Sequence, residues 1–362
     1  MSFNCNSPFD AIVVGAGLWG CVLSRRLAET GRRVLVLERR KAVGGNCRCR
    51  TEAGIEVHLY GSHIFHTSNE NVWRFVSRFA EFNDYRHRVL AHRCGKIYHL
   101  PIGRTLVREF FGRDIAPSAL SDSERAALFD AFIRGYTSKQ WGVDPDKVDP
   151  SVIARLKVRD TDSVDYFDDP HQGIPKEGYN ALFESMLRHE NIMVRTSCDF
   201  QLNDKGYAVP IFYSGPIDRL FNFKYGNLPW RTLRFETEHL PCQDYQSAAQ
   251  VNYPEVSVPY TRIHEFRHYH VEEGAFSKPE GTIITREYST AWRHGDEPYY
   301  PINTEDSRDL LAKYKLEIQA YNDRFARESN PIPLTVGGRL GSYVYYDMDK
   351  SIAAALAVDL PT

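Results

Sequence analysis

The sequence predicts an α/β fold whose first unit is a strand, a tight turn, a helix and a second strand. The apolar run Ala11–Val14 is typical of a buried parallel strand, and Gly15, Gly17 and Gly20 follow it in G-x-G-x-x-G order. In that order one glycine makes the turn, one lets backbone N–H groups approach a pyrophosphate, and one lets the helix pack on the strand. The positive end of the helix then favours the anion. This unit predicts a bound dinucleotide; the alternative is a glycine-rich turn in an unrelated α/β fold.

The residues after the turn continue the same unit. Apolar residues recur at helical spacing, and Gly31 is placed to end that helix. Val34–Leu37 is a second short apolar strand, and Glu38 follows it 18 residues after the last glycine of the turn, where a carboxylate can accept hydrogen bonds from a ribose. The pair Gly44-Gly45 predicts a loop that lies against the phosphates of the same ligand.

Size and composition indicate a globular chain of two or three domains. It has 362 residues, of which 42% are hydrophobic and 25% charged, with a net charge of −2. This balance gives no reason to expect nucleic acid or an anionic membrane as a partner. We expect no membrane span or signal segment, because no long apolar run occurs. The seven cysteines form no C-x-x-C pair, which is typical of reduced thiols and predicts a cytoplasmic protein.

Farther along, the pattern changes from helix to sheet and back. Ser121-x-x-Glu124 is a capping box that opens a helical segment, and Gly142 closes it. The Pro- and Asp-rich stretch that follows predicts a loop, with residues 148–160 as a mobile segment. Residues 250–300 alternate like sheet strands, and Leu310–Arg324 is predicted to be helical. The C-terminal stretch 337–360 is predicted to be a turn, a strand and a helix.

Two pairs of side chains are related by their spacing. Phe132 and Tyr136 are four residues apart on one helix face, which fits either core packing or a surface that binds a flat base. Tyr345 and Asp347 are two residues apart and face the same side if their segment is a strand.

Three histidines, His58, His63 and His66, are spaced closely enough to suggest zinc. No cysteine or acid completes a tetrahedral set nearby, so we expect no metal site.

Taken together, the motifs resemble those of the bacterial UDP-galactopyranose mutases, flavoproteins that convert UDP-galactopyranose to UDP-galactofuranose. The resemblance runs nearly end to end and includes GAGLWG, HLYGSHIFHT, GYTSKQWG, RLKVRDTDSVDYF, YSGPID, TREYS and GRLGSYVYYDMD. It implies FAD as the dinucleotide and three intertwined domains. These are a Rossmann-like FAD-binding domain (1–82 with about 195–250 and 326–362), a small helical domain (about 103–153, with a lid loop at 148–160) and a mixed or antiparallel sheet domain (about 83–102, 161–194 and 251–325).

The resemblance also implies the chemistry. N5 of reduced FAD acts as a nucleophile on the anomeric carbon of the sugar while UDP is held in place. The flavin is reduced by NAD(P)H or another reductant and is then reused, because the reaction has no net redox change. The implied enzyme is a cytoplasmic isomerase of cell-wall or polysaccharide biosynthesis that binds a UDP-sugar and forms a homodimer or a larger homo-oligomer.

Site residues follow from the same resemblance, position by position. Arg155 matches the lid arginine that closes on the diphosphate, Arg286 matches a second diphosphate arginine, and His63 is placed beside the isoalloxazine ring. The implied catalytic residues are Arg155, Arg286, His63, Tyr345 and Asp347. The implied substrate-binding residues are Phe132, Tyr136, Thr137, Trp141, Tyr166, Arg262, Tyr300 and His87. The implied cofactor-binding residues are Gly15, Gly17, Leu18, Gly20, Glu38, Arg39, Gly45, Asn46, His63, Arg339 and Met348.

The chain departs from the family pattern at a few positions. Ser62 stands where the family has proline, His87 where it has an asparagine near the sugar, and His171 where it often has another aromatic residue; Cys47-Arg48-Cys49 replaces an Ala-Tyr-like motif. We expect these positions to lie near the flavin or the sugar. They leave open a related nucleotide sugar, such as an N-acetylated or deoxy galactose.

Two other classes share parts of the pattern. A flavin oxidoreductase similar to the amine oxidases has the same N-terminal fingerprint, but the arginine and tyrosine set disfavours it. A non-catalytic module that binds a UDP-sugar or a flavin is the third class.

Overall fold

Two large β-sheets and a group of short helices form the part of the chain that the computed structural model describes, which is residues 8–143, 158–270, 276, 280–327 and 332–361. The strands are β1 (Ala11–Val14), β2 (Val34–Leu37), β3 (Cys49–Glu52), β4 (Ile55–His58), β5 (Phe65–Thr67), β6 (Val89–Arg93), β7 (Lys96–Leu100), β8 (His171–Gly173), β9 (Ile192–Arg195), β10 (Ile211–Tyr213), β11 (Trp230–Leu240), β12 (Gln250–Asn252), β13 (Arg262–Glu265), β14 (Thr282–Ala291), β15 (Tyr300–Pro301) and β16 (Leu334–Val336). The α-helices are α1 (Leu18–Glu29), α2 (Glu70–Val76), α3 (Arg104–Phe111), α4 (Asp122–Phe129), α5 (Gly135–Trp141), α6 (Gly178–Leu187), α7 (Ile217–Leu220), α8 (Glu305–Phe325), α9 (Gly338–Gly341) and α10 (Met348–Leu356).

The first sheet is parallel and has the strand order β16-β10-β1-β2-β9. Every residue of β1 and β2 is buried, as their unbroken apolar runs predict. Helix α1 begins after the glycine turn and ends at Glu29, and Gly31 follows with a φ of +86°. The predicted strand, turn, helix and strand are therefore confirmed, and the sheet is of the Rossmann-like kind.

The second sheet is mixed and mainly antiparallel, with the order β15-β11-β14-β13-β12-β6-β7. Only the contact of β12 with β6 is parallel. The predicted sheet character of residues 250–300 is confirmed by β12, β13, β14 and β15. The long strands β11 and β14 pair over ten residue pairs, which gives the sheet its rigid centre.

The helical unit packs against β6 and the edge strand β7, and its apolar residues form one buried cluster with those of the two strands. The capping box at Ser121 is present, and Gly142 ends the unit with a φ of +70°. Between α4 and α5, residues Asp130–Arg134 form a π-helical segment, which the sequence pattern did not predict. Within the described ranges, no helix combines the length and apolar character needed to cross a membrane.

Two elements contact a sheet other than the one in their predicted range. Strand β11 lies in the range 195–250, which was assigned to the FAD-binding domain, yet it pairs with β14 in the mixed sheet. Helix α8 lies in the range assigned to the sheet domain and contacts both sheets: Tyr321 packs with residues of the parallel sheet, and Tyr314 packs with Trp230 of the mixed sheet. Strand pairing and apolar contact decide these memberships, and neither is visible in chain order.

The strand predicted near the C-terminus is wrong. Residues 344–347 form no regular element and lead directly into α10. The alternation of Tyr and Val there resembles a strand, but no neighbouring strand pairs with it in the described structure.

Candidate active site

The glycine turn between β1 and α1 forms one wall of an elongated groove. Gly15 has a φ of +95°, and its amide donates to the carbonyl of Leu37 at 2.7 Å. A Cβ atom on Gly20 would lie 1.9 Å from the carbonyl oxygen of Gly15, so only glycine lets α1 start this close to β1. Across the groove wall, a Cβ atom on Gly45 would lie 2.8 Å from Cα of Gly17. The predicted roles of glycine in the turn and in helix packing are confirmed.

Glu38 lies at the end of β2 and lines the same groove. Its Oε2 accepts from the amide of Ala16 at 2.8 Å, and its Oε1 accepts from the amide of Arg40 at 2.8 Å. These bonds fasten the glycine turn to the end of β2, and each carboxylate oxygen keeps another lone pair. The ribose contact stays a prediction, and the structure adds a task for this side chain that the sequence did not indicate.

Arg40 and Glu297 also line the groove, and the sequence did not identify them. Nη2 of Arg40 donates to Oδ1 of Asn46 at 2.9 Å and to Oε2 of Glu297 at 2.9 Å, and its guanidinium lies 4.3 Å from the ring centre of Tyr60. Nη1 of Arg40 is buried and has no hydrogen-bond partner in the described structure. The Glu-Arg-Arg run directly after β2 could have indicated that Arg40 lies in the groove, whereas nothing in the local sequence indicates this for Glu297.

These features test whether the groove fits the implied FAD. A buried guanidinium nitrogen without an acceptor suits an anionic group, and two glycine backbones at close range suit a pyrophosphate. The residues present therefore fit a dinucleotide. Of the implied cofactor residues, all but Gly20, which lies beneath the turn, line the groove: Gly15, Gly17, Leu18, Glu38, Arg39, Gly45, Asn46, His63, Arg339 and Met348.

The groove continues into a second cavity of about 570 Å³, a volume typical of small-molecule sites. The residues that line both spaces mark their junction, and they are Asn46, His63, Arg339, Asp347 and Met348. A long ligand in the groove and a second molecule in the cavity can therefore meet at this junction.

The helical unit supplies one wall of the cavity. Phe132, Tyr136, Thr137 and Trp141 all line it. Phe132 lies in the π-helical segment, whose extra residue in the turn shifts the side chains that follow. Phe132 is also part of the apolar cluster of the helical unit, so core packing holds at this residue, and binding of a flat base stays a prediction.

The mixed sheet and the C-terminal segment supply the facing wall. The rings of Tyr300 and Tyr345 lie 5.3 Å apart, and the Trp141 ring lies 5.8 Å from that of Tyr300. Nη2 of Arg262 lies 3.5 Å from the hydroxyl of Tyr300 and 2.8 Å from Oε1 of Glu287. Burial alone would raise the pKa of Glu287, but the charge of Arg262 and the hydrogen bond of His264 outweigh it and lower the pKa to about 2. The wall thus holds a fixed guanidinium beside three aromatic rings.

Two histidines on the cavity wall are held neutral by burial. Burial lowers the pKa of His63 to about 3, assisted by the charges of His58 and Arg339, and its Nδ1 lies 2.7 Å from the carbonyl of Gly61. Burial likewise lowers the pKa of His87 to about 3. The implied substrate residue Tyr166 and the implied catalytic residues Tyr345 and Asp347 line the cavity as well.

Of the two implied catalytic arginines, one lies outside this cavity and the other lies outside the described residues. Arg286 does not line it; Nη1 donates to Oε2 of Glu238 at 2.8 Å. Neighbouring residues of a strand face opposite sides, so Arg286 faces away when Glu287 faces Arg262, which lines the cavity. This geometry corrects the prediction that Arg286 lies at the diphosphate. Arg155 and most of the lid loop 148–160 lie outside the described residues.

His171 lies away from both spaces, contrary to the prediction that it is near the flavin or the sugar. Its ring is stacked on Trp73 at 4.6 Å, and its Nε2 lies 2.8 Å from Oε1 of Glu70. Arg159, another arginine of the lid region, pairs with Asp168 at 2.8 Å.

The three-histidine spacing does not produce one cluster. The ring of His66 is paired with the carboxylate of Asp169, which lies in another part of the chain. Ligand atoms of Cys49, Glu56 and His58 do lie within 4.8 Å of one another. Nδ1 of His58 accepts from the amide of His63 at 3.1 Å, so a neutral ring carries its proton on Nε2, 3.8 Å from Glu56. This distance is too long for a hydrogen bond, and a nitrogen that carries a proton has no lone pair for a metal.

Comparison with protein families matches the chain in two places. Residues 131–345 match the model of the family described as UDP-galactopyranose mutase, and residues 13–79 match that of an NAD(P)-binding Rossmann-like domain. The first match contains the helical wall of the cavity and the strands β11 to β15 of the mixed sheet, and the second contains the glycine turn.

Curated relatives match over nearly the whole chain. A probable UDP-galactopyranose mutase of Klebsiella pneumoniae is 37% identical, with 96% of this chain and 93% of the relative aligned. A dTDP-fucopyranose mutase of Escherichia coli is 32% identical (95% and 96% aligned), and a UDP-galactopyranose mutase of Mycoplasma pneumoniae is 32% identical (97% and 95% aligned). The crystal structure of a reduced UDP-galactopyranose mutase shares the fold, with a TM-score of 0.72 at 14% identity over 96% of this chain and 92% of that one.

Proposed function

The chain belongs to the UDP-galactopyranose mutase family, whose curated members are isomerases, and from this premise we propose that it interconverts UDP-galactopyranose and UDP-galactofuranose with bound FAD. The observation that carries the proposal is the junction of the groove and the cavity. A dinucleotide in the groove reaches a nucleotide sugar at one place, beside His63 and Asp347.

FAD, when bound and reduced, supplies a nucleophilic N5 for the anomeric carbon of the sugar. The groove residues bind and orient it: the Gly17 and Gly45 backbones leave room for the pyrophosphate, and Nη1 of Arg40 offers a donor to an anionic oxygen. His63 lies at the junction as a neutral ring. Its Nδ1 donates to the carbonyl of Gly61, so Nε2 remains as an acceptor and the ring adds no charge next to the flavin.

The cavity walls suit the nucleotide half of the substrate. The face of Phe132 and Tyr136 suits the flat uracil, and Arg262 with Tyr300 suits the diphosphate. Glu287 accepts from Nε and Nη2 of Arg262, which leaves donors on Nη1 for phosphate oxygens. Burial raises the pKa of Tyr300 well above its ordinary value, so its hydroxyl stays a donor at neutral pH.

Holding UDP in place serves the return step. A UDP group that stays bound after it leaves the sugar can attack again as an effectively intramolecular reagent. Closure of the cavity also keeps water from the reacting carbon. By resemblance we assign Arg155 to this closure, and the variant Arg155→Ala tests the assignment. We expect its turnover to fall by orders of magnitude with FAD still bound, and an unchanged rate removes Arg155 from the site.

A related nucleotide sugar is the second candidate, and a specific observation supports it. His87 lines the cavity as a buried neutral imidazole, where the family has an asparagine near the sugar. A larger ring at this place changes the space for the sugar substituents, and one of the similar proteins is a dTDP-fucopyranose mutase. The arginine and aromatic walls disfavour an oxidoreductase similar to the amine oxidases, whose substrates are uncharged or cationic.

One experiment tests the function and the sugar together. The holoenzyme is reduced with dithionite and incubated with a panel of UDP- and dTDP-sugars, and the pyranose and furanose forms are separated by chromatography. We expect interconversion by the reduced enzyme, fastest with UDP-galactose, and none by the oxidised enzyme. Equal activity in both flavin states contradicts the role of reduced flavin, and faster conversion of another sugar contradicts the assignment of galactose.

A further inference from the structure

A continuous series of hydrogen bonds connects the loop that carries Ser62 with the side chain of Arg262. The hydroxyl of Tyr269 donates to Oγ of Ser62 at 2.6 Å, and Oγ of Ser62 lies 2.6 Å from Nδ1 of His264. Nε2 of His264 lies 2.9 Å from Oε2 of Glu287, whose Oε1 accepts from Nη2 of Arg262 at 2.8 Å. We call these five residues the Ser62 network.

The direction of each hydrogen bond in the network follows from its partners. Nε2 of His264 faces a carboxylate and therefore carries the proton, so Nδ1 is the acceptor and Ser62 donates to it. Ser62 in turn accepts from Tyr269. His264 and Glu287 are 0% and 1% exposed, so water does not replace a missing partner there. The network thus has one fully satisfied arrangement.

The two ends of the network lie on the two sides of the proposed reaction. Ser62 and its neighbour His63 line the cavity, and His63 also lines the cofactor groove. Arg262 lines the cavity at the other end, 3.5 Å from the hydroxyl of Tyr300. The link crosses more than two hundred positions of the chain, from Ser62 to His264.

We propose that Ser62 and His264 are positioning residues, which fix Glu287 and through it hold Arg262 in the orientation that receives a diphosphate. Oε1 of Glu287 holds Arg262, and the bond of Oε2 to His264 stops the carboxylate from turning. His264 keeps its own orientation because Ser62 donates to its other nitrogen. Without the Ser62 hydroxyl, the imidazole loses that restraint and Arg262 becomes less ordered before substrate binds. The inference rests on the proposed function, which assigns Arg262 to the substrate.

The test compares Ser62→Ala and Ser62→Thr in the FAD-loaded protein. Binding of UDP alone is measured by calorimetry, and KM and kcat are measured with the reduced enzyme. Since a typical hydrogen bond contributes a modest net free energy, Ser62→Ala should raise both the Kd for UDP and KM about threefold to tenfold and change kcat less. Ser62→Thr keeps the hydroxyl and should restore both values. Tyr343→Phe is the control, because it removes a buried hydroxyl that donates to Ile302 at 3.0 Å and is not part of either space.

The outcomes separate this inference from the function on which it rests. If the Kd for UDP and the KM of Ser62→Ala are within twofold of the wild-type values, the positioning role is overturned. It is also overturned if Ser62→Thr has a normal FAD content but does not restore these values. An equal loss in Tyr343→Phe indicates a general packing effect and also overturns it. A wild type that binds UDP but converts no sugar overturns the proposed function alone, while the UDP titration still decides the role of Ser62. A wild type that does not bind UDP overturns both.

Discussion

Replacing Gly45 by alanine should weaken FAD binding, whereas the same replacement at Gly31 should not. Gly45 has a φ of +55°, and its Cβ atom would lie 2.8 Å from Cα of Gly17. Gly31 is a matched control in the same unit, since it has a φ of +86° and nothing within 4 Å of the position of a Cβ atom. Both alanine variants incur the backbone strain of a positive φ, about 1–2 kcal/mol. Only the variant at Gly45 also forces two backbone segments of the groove apart.

The size of the effect follows from that contact. Carbon atoms in ordinary contact are about 3.5–4.0 Å apart, so the two segments must separate by roughly 0.7–1.2 Å. A backbone N–H that donates to a phosphate oxygen at about 2.9 Å then moves beyond about 3.5 Å, where the hydrogen bond is lost. One hydrogen bond to a charged group contributes about 1.5–3 kcal/mol, which corresponds to a loss of about 10-fold to 150-fold in affinity.

The assay is titration of each apoprotein with FAD, followed by flavin fluorescence, together with urea denaturation of the apoproteins. We expect Gly45→Ala and Gly31→Ala to lose similar stability, and only Gly45→Ala to lose FAD affinity. If Gly45→Ala binds FAD as tightly as Gly31→Ala, the pyrophosphate does not pass between Gly17 and Gly45, and the reasoning is refuted.

Three other predictions concern the cavity and the helical unit. Glu287→Gln should destabilise the holoprotein by about 3 kcal/mol at pH 7, because folding lowers the pKa of Glu287 from 4.5 to about 2. The ionised carboxylate therefore stabilises the folded protein fully above pH 4.5, and this contribution is lost as the pH falls towards 2. Urea denaturation with saturating FAD measures it, and a difference from the wild type that is the same at pH 7 and pH 3 contradicts the ion pair. Phe132→Leu should raise the Kd for UDP about twofold to twelvefold by removing an aromatic contact of about 0.5–1.5 kcal/mol, and calorimetry that finds no change argues against base binding at this face. Ser121→Ala removes the capping box and should cost about 1 kcal/mol with kcat unchanged; an unaltered melting temperature of the holoprotein would show that this cap does not limit stability.

Much of the site was predictable because its residues stand in motifs whose spacing is local. The glycine turn and the Phe132 and Tyr136 face each depend on residues a few positions apart, and Glu38 follows the turn within one strand, helix and strand unit. The cavity lining agrees with the implied substrate residues, although their individual roles remain predictions.

The errors have a common physical cause: the way a strand pairs with its neighbours decides which side of the sheet each side chain faces. Arg286 was placed at the diphosphate, but the pairing of β14 with β11 and β13 turns Glu287 towards Arg262 and Arg286 to the opposite face. Tyr345 and Asp347 do both line the cavity, but on an irregular segment rather than on the predicted strand. Sequence spacing states only which residues share a face, and the tertiary structure decides which face is buried.

The sequence by itself determined the parallel α/β unit, the glycine turn that fits a dinucleotide, and the family with its implied chemistry. These depend on short-range sterics and on motifs that are contiguous in the chain. Only the tertiary structure decided that Glu297 holds Arg40 in the groove and that Ser62 is bonded to His264, since these partners are 257 and 202 positions apart. Such contacts form only when two sheets and their loops have packed, because hydrogen bonds between distant residues have no periodicity that a sequence can display.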